Sequence, residues 1–318
     1  MLAAVSIDMD GLDLYCSIHG IAPPNDPNVI YNLAMDRFLD LFEELQIKAT
    51  FFVVTRYFGE HGAEAQVKKA FLDGHEIASH THNHPYNLPE HAMKGMRAEI
   101  DLATQAIESL TGKRPVGFRA PGYNICDPAL DHLERNEYRY DSSVFPCPPY
   151  YAAKAAVMGL IALRGGKSGS ALTDPRALLA PIHPYQPARK SFHRRSRSDH
   201  RELWEIPICV APLPLLRFHV IGTTLALLGP GKFAPLYSVL RRTHKFLNLE
   251  FHGIDLLGPD DLGVPEELVA RQPDLRIGWA QKRATYKSIL QKVARDYDFV
   301  TLEEGVERLE ASRGSASR

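Results

Sequence analysis

The sequence predicts an α/β fold of parallel strands with helices packed outside them. Two observations carry this reading. Across the first 145 residues, short apolar segments of strand character alternate with segments of helical period, and repeated β-then-α order argues for parallel strands joined by helical crossovers. The clusters of Asp, His and Arg fall just after those apolar segments, at strand C-terminal ends, where such folds gather their active residues.

Each element has its own signal. Val5-Ser6-Ile7-Asp8 reads as a strand. Ile30 to Ile47 reads as an amphipathic helix, with Met35, Phe38, Phe42 and Leu45 three or four apart. Ala49 to Val54 is a short continuous apolar run, the mark of a buried strand. Ala63 to Leu72 is helical and ends at Asp73-Gly74; His75 to Ser79 is strand-like. Glu90 to Leu110 is a long helix closed by Thr111-Gly112, a glycine C-cap signal. After a strand at Pro115 to Phe118 comes a helix from Asp127 to Asn136, with Asp127 as N-cap and Pro128 at its first position. Tyr138 to Val144 returns to strand.

The middle is less regular. Pro146 to Glu202 is rich in Pro, Gly, Ser and Arg and reads as a divergent insertion. Its basic run Arg189 to Arg201 is either a mobile, solvated loop or a contact for phosphate or lipid headgroups. Leu203 to Val210 reads as strand, Phe233 to Phe246 as helix, Leu247 to Phe251 as strand, Lys282 to Tyr297 as helix and Asp298 to Leu302 as the last strand. Residues 1–310 then form one domain, and the tail 311–318 is expected to be disordered.

Composition narrows the function classes. With 37 Lys+Arg against 38 Asp+Glu in 318 residues, the chain lacks the basic excess of a nucleic-acid binder. Cys16, Cys126, Cys147 and Cys209 are scattered and read as free thiols. Strand-like residues begin at once, so no export signal is read and a cytoplasmic location is expected. Two apolar stretches, Tyr150 to Leu163 and Leu213 to Leu228, are interrupted by charge and fall short of the roughly 18 apolar residues of a membrane span. They read as core or substrate-facing segments.

Four constellations carry the chemistry. Asp8-Met9-Asp10-Gly11 closes the first strand, and residues i and i+2 share a face, so both carboxylates can look into one site. His80-Thr81-His82-Asn83-His84-Pro85 puts three histidines in five residues at another strand end; with Asp10 the set becomes two or three imidazoles and one carboxylate, suited to zinc, cobalt, nickel or iron. Arg119, in Gly117-Phe118-Arg119-Ala120-Pro121-Gly122-Tyr123, reads either as a surface arginine before a turn or as a clamp on a catalytic carboxylate. His252 ends Leu249-Glu250-Phe251-His252. Each has a bland alternative alone, but six such residues at the ends of four strands argue for one site.

These motifs, in this order, resemble the polysaccharide deacetylases of the NodB-homology, carbohydrate esterase family 4 group. Ser6 to Gly11 has the spaced D-x-D form of a divergent branch, Ser79 to Pro85 matches the histidine motif, Arg119-Ala120-Pro121 the R-x-P motif, and Leu249 to His252 the closing L-x-x-H. The resemblance spans residues 3 to 305 and implies a distorted (β/α) barrel of about seven parallel strands. It implies one divalent ion, zinc first, on Asp10, His80 and His84. It implies Asp8 as general base, Arg119 as its orienting partner and His252 as general acid. It implies oxyanion donors among the backbone N–H groups near Pro121, Gly122 and Tyr123, and His82 is expected to line the site without binding metal. A carboxylate tuning the acid is expected at Asp141 or Glu205. The implied reaction is metal-dependent hydrolysis of an N-acyl, foremost N-acetyl, amide on an amino sugar. The apolar stretches beside basic clusters point to a lipid-linked or phosphate-bearing conjugate, with peripheral contact at the inner membrane face. The competing readings are a cyclic amide or imide hydrolase on the same scaffold and an inactive glycan-binding relative.

Overall fold

The computed structural model describes residues 1–59, 62–163, 165, 168–214 and 216–316. Its main sheet contains β1 (Leu2–Met9), β2 (Thr50–Val53), β3 (Glu76–Ser79), β4 (Gly117–Phe118), β5 (Tyr140–Asp141), β6 (Trp204–Glu205) and β7 (Phe246–His252). Seven strands lie in the order β7-β1-β2-β3-β4-β5-β6, and every pairing is parallel. A short β8 (Asp298–Phe299) joins the start of β1. The sheet curls into a half-barrel. Its two edges meet without a regular ladder: Cys209 donates its N–H to the Asn248 carbonyl at 3.0 Å, and Asn248 Nδ2 donates to the Ile206 carbonyl at 3.2 Å.

Alternation along β1 places the site. Ala3, Val5, Ile7 and Met9 pack outward in the main core with Phe38 and Phe42 of the helix Met35–Leu45. Ala4 packs inside with Phe52, Ala78 and Tyr140, and Leu302 and Val306 of the last helix join that cluster. Ser6 and Asp8 continue the inner face upward. The interior is thus apolar at the N-terminal ends of the strands and polar at their C-terminal ends. Gly117 is required here, since a Cβ would sit 2.1 Å from the Tyr140 ring.

The helices follow the apolar period with local differences. The expected helix Ile30 to Ile47 opens with a wide turn at Ile30–Ala34 and continues as Met35–Leu45. The long fourth helix is Met93–Thr111, ended by Gly112 at φ 74. Asp127 lies in the first turn of the helix Asp127–Arg135 with Cys126 at its N-cap; the Asp127 carboxylate pairs with Arg201 at 3.1 Å instead of capping. A helix at Leu12–His19 had no clear signal of its own.

The basic run is anchored by ion pairs. Ser191–Arg195 pairs antiparallel with Pro187–Ala188, and Arg201 is fully buried against Asp127 and Asp131, with Arg189 on Glu134. The acidic face of the helix Asp127–Arg135 holds it there. Leu213 to Leu228 divides between an antiparallel ribbon (Val210–Leu213 with Leu216–His219) and the start of the helix Gly222–Thr243, which breaks at Gly229 before Pro230. The last helix, Leu302–Ala316, takes in most of the tail expected to be disordered. Its Val306 is buried, and Arg313 lies over the Trp204 ring, so the segment has an anchor; residues 317 and 318 lie outside the described residues. The four cysteines are free. No described helix is long and apolar enough to cross a membrane.

Candidate active site

Asp8, Asp10, His80, Arg119 and His252 converge at the C-terminal mouth of the half-barrel. Register explains this: Asp8 lies opposite His252 on β7 and opposite Phe52 on β2, while Ser79 lies opposite Phe118. Residues just past neighbouring strand ends therefore meet.

Asp10, His80 and His84 form a compact buried group. His80 Nε2 lies 3.2 Å and His84 Nε2 3.1 Å from Asp10 Oδ1, and their ligand atoms lie within 4.8 Å of one another. His80 Nδ1 donates to the Arg119 carbonyl at 2.7 Å, so its Nε2 presents a lone pair inward. His84 is held by a left-handed turn: Thr81 and His84 have φ 67 and 59, and the His84 N–H bonds the Thr81 hydroxyl at 3.0 Å. Asp10 Oδ1 and both His84 ring nitrogens are buried without conventional hydrogen-bond partners. Two imidazoles and one carboxylate converging on buried, unsatisfied atoms fit a divalent cation with coordination positions to spare. The two imidazoles hold Asp10 well below the usual carboxylate range despite its burial.

Beneath this group lies Arg119, fully buried. It donates to Asp8 Oδ1 at 2.5 Å, to the Ser142 carbonyl and hydroxyl at 2.8 Å each and to Ser6 Oγ at 3.0 Å, and it stacks on Phe52 at 4.2 Å. A guanidinium so committed cannot rotate, and it fixes one Asp8 oxygen while the other lies 3.8 Å from His80 Nε2.

His252 faces this group from β7. Its Nε2 lies 3.5 Å from the Tyr123 hydroxyl, and its backbone N–H donates to the Asp255 carboxylate at 2.8 Å. A ring nitrogen in turn accepts the Asp255 N–H, which opposes a second protonation. Burial also disfavours the imidazolium, but Glu250, Asp8, Asp10 and Asp255 outweigh it and push His252 up to about 9. Glu250 is fully buried, 3.8 Å from Arg119, and burial pushes it up to about 7. Asp8, Glu250 and His252 thus form a second group of close donor atoms.

Two expectations are corrected. Asp141 and Glu205 do not face His252. They face each other, and burial raises both, Asp141 adding to Glu205. Asp141 holds Ser143 at 2.6 Å, and Ser143 Oγ accepts the Ala120 N–H at 2.7 Å, so the pair braces the loop after Arg119. The carboxylates beside His252 are Glu250 and Asp255, and Glu250 was legible: two residues earlier on one strand shares the face of His252. His82 bonds Thr55 Oγ1 at 2.9 Å and is not among the residues lining the cavity, because strand alternation ends at Ser79.

The turn Pro121–Tyr123 runs through left-handed backbone at Gly122 (φ 58) and Tyr123 (φ 65). The N–H groups of Tyr123 and Asn124 bond Ala120 and Pro121, and among the described residues Gly122 N–H is left without an acceptor. A Cβ at Gly122 would lie 2.8 Å from the Tyr86 ring.

Above these groups opens a cavity of about 390 Å³. Asp8, Asp10, His80, Tyr123 and His252 form its floor; Tyr15, Tyr86 and Tyr150 stand around it, with Lys154, Val157, Met158, Ile221 and Leu227 on its outer wall. None of the basic run Arg189 to Arg201 lines it. Tyr86, directly after the histidine motif, packs on His84 at 4.6 Å.

The profile of the polysaccharide deacetylase family matches residues 28–140. Over that stretch the chain is similar to the family. A peptidoglycan deacetylase of Helicobacter pylori is 26% identical over 162 residues, covering 48% of this chain and 53% of that protein. A peptidoglycan deacetylase-like protein of Gibberella zeae is 42% identical over 77 residues, 24% of this chain and 22% of that one. These alignments thus span about a fifth to a half of the relatives' length. A crystal structure described as that of a polysaccharide deacetylase from Mycobacterium smegmatis superposes with a TM-score of 0.61 at 16% identity, covering 98% of this chain and 91% of that one; it shows the shared fold.

Proposed function

We propose that this polysaccharide deacetylase homologue hydrolyses an N-acyl amide, foremost N-acetyl, on an amino sugar. A divalent ion, zinc first, would be held by Asp10, His80 and His84. The observation that supports this best is the meeting of two groups at one cavity floor: a cation-binding set and, beside it, an acid–base set of Asp8 and His252. When bound, the ion supplies Lewis-acid polarisation of the acyl oxygen and lowers the pKa of water.

The chain's own residues supply the rest. Asp8, one oxygen fixed by Arg119, takes the proton of the attacking water through the other. Gly122 N–H is the free backbone donor for the oxyanion. His252, kept protonated by its carboxylate neighbours, delivers a proton to the amine as the C–N bond breaks, leaving a carboxylate and a free amino sugar. The apolar outer wall favours a conjugate with an apolar chain, such as a lipid-linked amino sugar, over a bare wall polymer.

The test is mass spectrometry of N-acetyl and N-formyl amino-sugar conjugates before and after treatment with zinc-loaded protein. Loss of the acyl mass from a sugar conjugate is expected. Unchanged sugar conjugates, with hydrolysis of a cyclic imide instead, would overturn the reading.

A further inference from the structure

The helix Pro148–Leu163 is apolar apart from one charge, Lys154. Residues 150, 153, 154, 157 and 158 lie about one or two turns apart on one face, and all five line the cavity. Lys154 therefore points toward the site, not to bulk solvent. Among the described residues its Nζ makes one long bond, 3.4 Å to the Gly122 carbonyl, which also accepts from Thr173 at 3.2 Å. An ammonium has three donors, so at least two remain. Among the described residues Lys154 forms no ion pair. Burial alone pulls it down to about 8, with no carboxylate close enough to hold its charge. Elsewhere the protein does neutralise such groups: buried Arg119 has Asp8 and buried Arg201 has Asp127 and Asp131.

The surroundings say what would complete it. Val157 and Leu227 line the cavity yet remain 43% and 52% exposed, so an apolar wall runs from beside Lys154 to the surface. We propose that Lys154 is a substrate-recognition residue that binds an anionic group, phosphate or carboxylate, placed between the N-acyl sugar and an apolar chain lying on Val157 and Leu227. This rests on the amide-hydrolase reading for the sugar but stands on its own geometry for the anion.

Binding tests it without turnover. Zinc-loaded wild type and K154M, matched for ion content so that binding to the metal cancels, are titrated calorimetrically with decyl phosphate, decanoate and decanol. At least a roughly ten-fold loss of affinity in K154M for one anion, with decanol unaffected and K154R partly restoring the loss, is expected for one direct charge-assisted contact. The anion that shows the loss identifies the group. Equal affinities of wild type and K154M for both anions would overturn the proposal, and K154Q repeats the comparison should K154M melt earlier than wild type. A separate arm measures acetate and formate release by wild type from the N-acetyl and N-formyl amino-sugar conjugates. No release there, with Lys154-dependent anion binding intact, overturns the amide reading and leaves the anion site standing.

Discussion

The floor and the outer wall of the same cavity are built on opposite principles. On the floor, Arg119 is fully buried and each of its three guanidinium nitrogens donates to Asp8, Ser6 or Ser142. The wall, from Tyr150 to Leu227, comes from the insertion and the following helix, is apolar with Val157 and Leu227 about half exposed, and carries one charge, Lys154, which among the described residues has no counter-ion. The floor's geometry is over-determined by strand register and hydrogen bonds, as bond making demands. On the wall, Val157 and Leu227 stay exposed at the cavity edge, open to whatever lies there. On the proposed reading, chemistry and specificity reside in separate parts of the chain, and substitutions should separate them.

The largest effects belong to the floor. Asp8→Asn should lower turnover by roughly 10²–10⁴-fold while the ion content stays at wild-type level. His80→Ala should lose both, because it removes one of three ligands. Metal analysis beside acetate release distinguishes the two; an ion lost from Asp8→Asn would move that residue from base to ligand. Arg119→Met should also destabilise the fold by about 3–5 kcal/mol, since Asp8 would be left buried and unpaired. Chemical denaturation measures this.

Next comes the acid. His252→Ala should cut kcat by roughly 10²–10⁴-fold. With His252 pushed up to about 9, its proton is present below that pH and lost above it, so kcat should fall on an alkaline limb. Glu250→Gln removes the neighbour that raises it most, so that limb should move to lower pH. Glu205→Gln should leave the limb in place and change thermal stability instead, because Glu205 faces Asp141. A limb that moved with Glu205 and not Glu250 would restore the original assignment.

The same contrast decides what could be read from sequence. Asp8, Asp10, His80, Arg119 and His252 were legible because each sits at a strand end, where period-two alternation and parallel order fix both face and place. His82 failed because alternation stops at Ser79 and Thr81 turns the chain through positive φ. Asp141 and Glu205 failed because β5 and β6 are two-residue strands whose carboxylates pair across one ladder step, a register that composition does not encode. The wall was hidden differently. Its apolar run is compatible with core, and only the tertiary position of the helix Pro148–Leu163 shows it at a cavity edge.

The smallest effect expected lies on that wall. Val157→Ser removes apolar surface from a residue that lines the cavity but is already 43% exposed, so the fold loses little. If a substrate chain covers Val157, the substitution costs about 1 kcal/mol of contact, or roughly five-fold in KM for a long-chain conjugate. The penalty should shrink as the chain is shortened and disappear for a conjugate too short to reach the wall, with kcat the same throughout, because Val157 belongs to neither the cation-binding nor the acid–base group. A chain-length series on both proteins measures it. A loss independent of chain length would mean that the helix shapes the floor as well, and that the two halves of the cavity are not separable.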